Sequence, residues 1–127
     1  MSDFGAPVPI LRAFDEARTR DFYLDLLGFE LMFEHRFEPG LPLYMAVRRG
    51  ACVLHLSEHY GDGSPGAAVR VPVADVDAFA AAVRAREHGH CRPGAPNAMP
   101  WGSREITIAD PAGNRLTFFS ENHDEQD

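Results

Sequence analysis

Apolar positions along the chain switch between two periods, and the switches mark its elements. Residues 8–14 (VPILRAF) form a short apolar stretch that reads as a strand, and Asp15 follows as a helix N-cap. From there Phe22, Tyr23, Leu26 and Leu27 share one helical stripe, with Arg18, Asp21 and Asp25 opposite. Gly28 ends that helix. Strands are expected over 29–37, 43–48 and 52–58. The first two are joined by Glu38-Pro39-Gly40-Leu41-Pro42, the last two by the turn Arg49-Gly50-Ala51.

The second half repeats the plan. Residues 67–73 read as a strand, and Asp75 caps a helix carrying Val76, Phe79, Ala80 and Val83 at helical spacing. The Gly/Pro-rich passage 89–102 leaves room for a short strand near Cys91. Strands over 104–109 and 115–120 then flank the turn Asp110-Pro111-Ala112-Gly113-Asn114. The pattern predicts one domain over 1–127: a module over about 6–59, a linker at 60–66, a second module over about 67–121 and an acidic tail at 122–127. Each module reads β-α-β-β-β.

Composition narrows the function classes. At 127 residues, 45% apolar and 24% charged, the chain is sized for one packed core. No apolar run reaches the length of a membrane span, and the N-terminal segment lacks the pattern of a secretory signal, so a cytoplasmic location is expected. Cys52 and Cys91 are expected to be free thiols. The net charge of −7 disfavours nucleic acid, although Glu121, Asp124, Glu125 and Asp127 at the C-terminal end supply four of those charges. What remains is a mildly anionic body that slightly favours a cationic ligand.

The twofold repeat, with Phe22-Tyr23-Leu24-Asp25-Leu26-Leu27-Gly28-Phe29 and Asp110-Pro111-Ala112-Gly113-Asn114, resembles the vicinal-oxygen-chelate superfamily of glyoxalases, extradiol dioxygenases and bleomycin-resistance proteins. Pro100-Trp101-Gly102 followed by Arg104-Glu105 is similar to the bleomycin-resistance branch. The resemblance implies an α+β fold: two β-α-β-β-β modules forming a curved mixed sheet around a cavity, helices on the outer face. Enzymes of the superfamily place four metal ligands on inward strand positions. Carried over by motif, those positions hold Val8, His55, Ala68 and Thr117, and only His55 is an ordinary metal ligand. No metal and no cofactor is therefore expected. His55 and His59 do not rescue the site, since four residues of strand separate them by about 13 Å.

Alternation assigns Leu54, Leu56, Val69, Val71, Val73, Leu116, Phe118, Leu11 and Ala13 to the core. Ile10, Arg12, His55, Arg70, Thr117, Phe119 and Glu121 then face inward, and the inward charges Arg12, Arg70, Glu105 and Glu121 are expected to neutralise one another. Along 29–37 the odd positions form one aromatic-rich face, with Phe29 and Leu31 expected in the core. Phe33, His35, Phe37, Tyr44, His55 and Trp101 are the candidate ligand-binding residues, with Met45 beside Tyr44 as a possible addition. Aromatic faces stack on planar groups and attract cations. Bleomycin-resistance proteins are homodimers that sequester a bulky cationic antibiotic without bond chemistry. The resemblance thus implies a metal-free homodimer that binds a bulky, cationic or planar DNA-damaging antibiotic. The alternatives are a metal-dependent lyase or dioxygenase, and a metal-free acid–base enzyme using His55 or Glu105.

Overall fold

The structure, a computed structural model, describes residues 3–86 and 93–121. The first module runs β1 (Ile10–Arg12), α1 (Glu16–Arg20), β2 (Glu30–His35), β3 (Tyr44–Arg49) and β4 (Cys52–Ser57). The second runs β5 (Ala68–Pro72), α2 (Val76–Ala85), β6 (Asn97–Ala98), β7 (Ser103–Ala109) and β8 (Arg115–Glu121). Each module makes its own four-stranded mixed sheet, ordered β1-β4-β3-β2 and β5-β8-β7-β6. In each, the first strand runs parallel to the last and the other pairings are antiparallel. The α+β duplication is therefore present. Within the Gly/Pro-rich passage 89–102 a short strand lies at Asn97–Ala98; the strand expected near Cys91 itself and the acidic tail after Glu121 fall outside the described residues.

Local chemistry starts both helices as expected. Asp15 and Asp75 adopt extended backbone and accept from the amides of Arg18 and Ala78, at 3.1 Å in each case. α1 then widens into a π-helical segment, Asp21–Leu26, which delivers Phe22, Tyr23 and Leu26 to the core. Gly28 follows at φ 75°, the left-handed position that reverses the chain into β2.

One hydrophobic core serves both modules. It joins Leu11, Phe22, Tyr23, Leu26, Leu54 and Leu56 to Val71, Phe79, Leu116 and Phe118. The two signature motifs meet inside it. Tyr23 donates to Asp110 Oδ2 at 2.6 Å, and the same carboxylate accepts from the amides of Ala112 and Asn114 and from Asn114 Nδ2. Asn114 Nδ2 also donates to the carbonyl of Arg12, at 2.8 Å, so the turn after β7 is tied to β1 of the other module. Burial, followed by the Asp110 charge, raises the Tyr23 pKa, and its hydroxyl stays a donor.

The linker packs onto β1. Gly63, at φ 75°, passes so close that a Cβ there would lie 2.7 Å from the Ile10 carbonyl oxygen. Ser57 donates to Asp62 at 2.9 Å, and Arg12 donates to the carbonyl of His59. Only glycine fits at that crossing.

Candidate binding faces of the two sheets

Register decides what the first sheet presents. β3 and β4 pair Ala46 with His55 and Tyr44 with Ser57, while Val47, Leu54, Met45 and Leu56 form the buried side. β2 joins them with a bulge. Leu31 pairs with Val47, but Phe33 pairs with Ala46, the residue opposite His55. The extra residue at Met32 turns Phe33 and His35 to the open face. The odd positions of 29–37 therefore do not share one face: Phe29 is core, Leu31 is 40% exposed at the sheet edge, and Phe33 is open. Met45, at 1% exposure, belongs to the core and not to a binding surface.

The open face carries a row of edge-to-face rings. Phe33 meets His55 at 5.6 Å between centroids, Tyr44 meets His55 at 5.3 Å, His35 meets Phe37 at 4.8 Å, and Phe37 meets His59 at 6.2 Å. The Tyr44 hydroxyl lies 2.6 Å from His55 Nδ1. Partial burial, then the Asp62 charge, raises the Tyr44 pKa, which keeps the hydroxyl protonated. The roles of donor and acceptor in this contact depend on the imidazole tautomer, and among the described residues His55 Nε2 has no hydrogen-bond partner. Phe33 and Phe37, 47% and 73% exposed, leave much apolar area uncovered.

Trp101 stands apart from this row, on the second module. Its loop connects β6 to β7, and its indole Nε1 donates to Glu105 Oε2 at 3.0 Å. Ser103 donates to the same oxygen at 2.7 Å, and Arg70 reaches both carboxylate oxygens, at 3.2 and 2.6 Å. The Arg70 guanidinium lies 4.6 Å from the centroid of Phe119. Arg70 foremost, then Ser103 and Trp101, hold the Glu105 pKa down to about 2. Glu105 lies at an inward position whose partner the sequence left open; the register of β5, β7 and β8 brings Arg70 to it. Five of the six predicted contact residues thus gather on the first sheet, and Trp101 sits on the second.

A separate crevice lies elsewhere in the fold. It has a volume of about 840 Å³ and lies between the modules, lined by Pro7, Val53, Val71, Ala78, Phe79 and others, and none of the six candidates borders it.

The residues at the superfamily's ligand positions do not fit a metal. His55 Nδ1 is engaged by Tyr44, Val8 and Ala68 carry no donor, and Thr117 Oγ1 is bonded to Thr107 Oγ1 at 2.8 Å. Among the described residues no three His, Cys, Asp or Glu side chains stand together as a metal would need. Cys52 is a free, half-buried thiol whose pKa burial raises. Among the described residues no helix is long and apolar enough to cross a membrane.

Comparison with known proteins places this architecture. The family model described as "Glyoxalase superfamily protein" matches residues 2–126. No curated protein matches by sequence. Among solved structures, the bleomycin-binding protein of bleomycin-producing Streptomyces verticillus, complexed with copper(II)-bleomycin, is 30% identical. That match covers 93% of this chain and 97% of the other, with a TM-score of 0.68. The bleomycin resistance determinant of transposon Tn5 is 25% identical over 93% and 98%, with a TM-score of 0.72. The antibiotic-binding protein TnmS3 of Streptomyces sp. CB03234 shares the fold at 22% identity over 95% and 98%, with a TM-score of 0.73. The family match over nearly the whole chain, on a fold shared with bleomycin-binding proteins, means that this chain belongs to the glyoxalase/bleomycin-resistance superfamily.

Proposed function

We propose that the chain is a metal-free binding protein that sequesters a bulky planar or cationic antibiotic-like molecule, acting in the cytoplasm as a homodimer. The observation that carries this reading is the exposed row Phe33, His35, Phe37, Tyr44 and His55 on the open face of the first sheet. Such a row offers stacking area and one imidazole nitrogen that no described residue engages, the combination small-molecule sites use for affinity and orientation. Trp101 offers a second aromatic surface on the other module. In a dimer, the open face of one chain set against the second module of its partner would bring both surfaces to one ligand. Relatives that bind bleomycin on this fold support the choice of ligand class.

The test is a titration of the protein with bleomycin-type and enediyne-type compounds, read by Trp101 fluorescence and thermal shift, with the ligand recovered by mass spectrometry. A specific ligand raises Tm by mass action and returns unchanged. A folded dimer that responds to no compound of the panel refutes the reading. The Tyr44–His55 contact is the one observation on the side of metal-free acid–base chemistry, and recovery of a transformed ligand would decide for it.

A further inference from the structure

Trp101 is unusual in being both exposed and held. Its ring is 67% exposed, and among the described residues no other ring or cation stacks on it. Yet its backbone sits in a closed turn. Gly102 donates to the Met99 carbonyl at 3.0 Å, and Met99 donates back to Ser103 at 2.7 Å. The indole nitrogen is tied to Glu105, which is itself 4% exposed and fixed by Arg70 and Ser103. Arg70 is steadied in turn by the ring of Phe119. One carboxylate therefore gathers a guanidinium, a hydroxyl and an indole, and it restricts the last of these.

We propose that Glu105 is a positioning residue that fixes Trp101 as a stacking platform for a planar aromatic ring of the ligand, a role that rests on the binding function proposed above. The Nε1–H is the only polar group of an indole. Once Glu105 takes it, the side chain has only its two π faces to offer, so this contact selects flatness over hydrogen-bonding groups. Holding the ring in place before the ligand arrives also removes the entropy of ordering a large side chain on binding.

The single tryptophan makes this directly measurable in the ligand-free full chain. Time-resolved fluorescence anisotropy of Trp101 reads its local motion. Glu105→Ala is expected to raise the amplitude of the fast, picosecond-to-nanosecond depolarisation roughly two- to threefold. Glu105→Gln, which keeps an acceptor, gives a smaller rise. Acridone, a planar tricyclic probe, is expected to bind Glu105→Ala about 2- to 12-fold more weakly than wild type, the loss typical of one un-preorganised side chain. A folded Glu105→Ala variant with unchanged depolarisation overturns the positioning role. Should that variant not fold, the indole N–H resonance of the wild type decides: slow exchange with water supports the bond to Glu105, and exchange as fast as that of free indole overturns it. An ordered indole in a wild type that binds no acridone counts against the platform and the binding reading beneath it. A disordered indole in a wild type that does bind counts against positioning alone.

Discussion

Tyr23→Phe probes the bond that joins the two halves of the duplication. The hydroxyl is fully buried with its ring and donates to a carboxylate at 2.6 Å. Removing it opens almost no space, because the ring stays between Phe22 and Phe29. What is lost is one hydrogen bond to a charged acceptor, about 1.5–3 kcal/mol. The Asp110 Oδ2 oxygen keeps Asn114 Nδ2 at 2.9 Å, so it is not left bare and the cost stays in that range. For a domain this size 1 kcal/mol corresponds to about 4 °C, so Tm should fall by roughly 6–12 °C. Asp110→Asn perturbs the same bond from the other end, and a double-mutant cycle isolates the pair. Thermal and urea unfolding of the four proteins should give a coupling energy of at least about 1 kcal/mol. A Tm within a degree or so of wild type for Tyr23→Phe, or additive single effects, would refute the idea that this bond ties the modules together.

Further outcomes follow from other contacts. Gly63→Ala should destabilise the chain by about 2–3 kcal/mol in urea unfolding, because the new Cβ combines a left-handed backbone with a collision against the Ile10 carbonyl oxygen; a change within experimental error would show that the linker can lift off β1. Glu105 has its pKa lowered in the folded state, so its pairing stabilises the protein above the ordinary carboxylate range and is lost as pH falls toward about 2. The Tm advantage of wild type over Glu105→Gln should therefore be full at pH 6 and shrink progressively below pH of about 4.5, and a gap constant from pH 6 to about 2.5 would contradict the assignment. Phe37→Ala, at a largely solvated ring, should leave unfolding within about 0.5 kcal/mol of wild type, and Phe33→Ala, at a ring about half covered, should cost no more than about 1 kcal/mol. The same variants should weaken ligand binding severalfold in fluorescence titration, about 1 kcal/mol each; strong destabilisation would mean that these rings are packing residues.

Elements and faces were legible wherever local rules act alone. Asp15, Gly28 and Asp75 mark helix ends by their own backbone and capping chemistry. Alternation was reliable along β4, β5 and β8, where a buried face lies against an open one, and it put Leu54, Leu56, Leu116 and Phe118 in the core. It failed on β2. Both faces of that strand are rich in large side chains, so the period-two pattern carries no mark of the extra residue at Met32 that sends Phe33 to the open side. The motifs announced the family from sequence, but their physical purpose is non-local: Tyr23 and Asp110 are 87 residues apart and meet only when the modules share a core. Alternation likewise grouped Arg70 and Glu105 among inward charges expected to neutralise one another, but it did not single out that pair or join Trp101 to it. That link depends on the register of β5, β7 and β8 within the second sheet, which no single stretch of chain fixes.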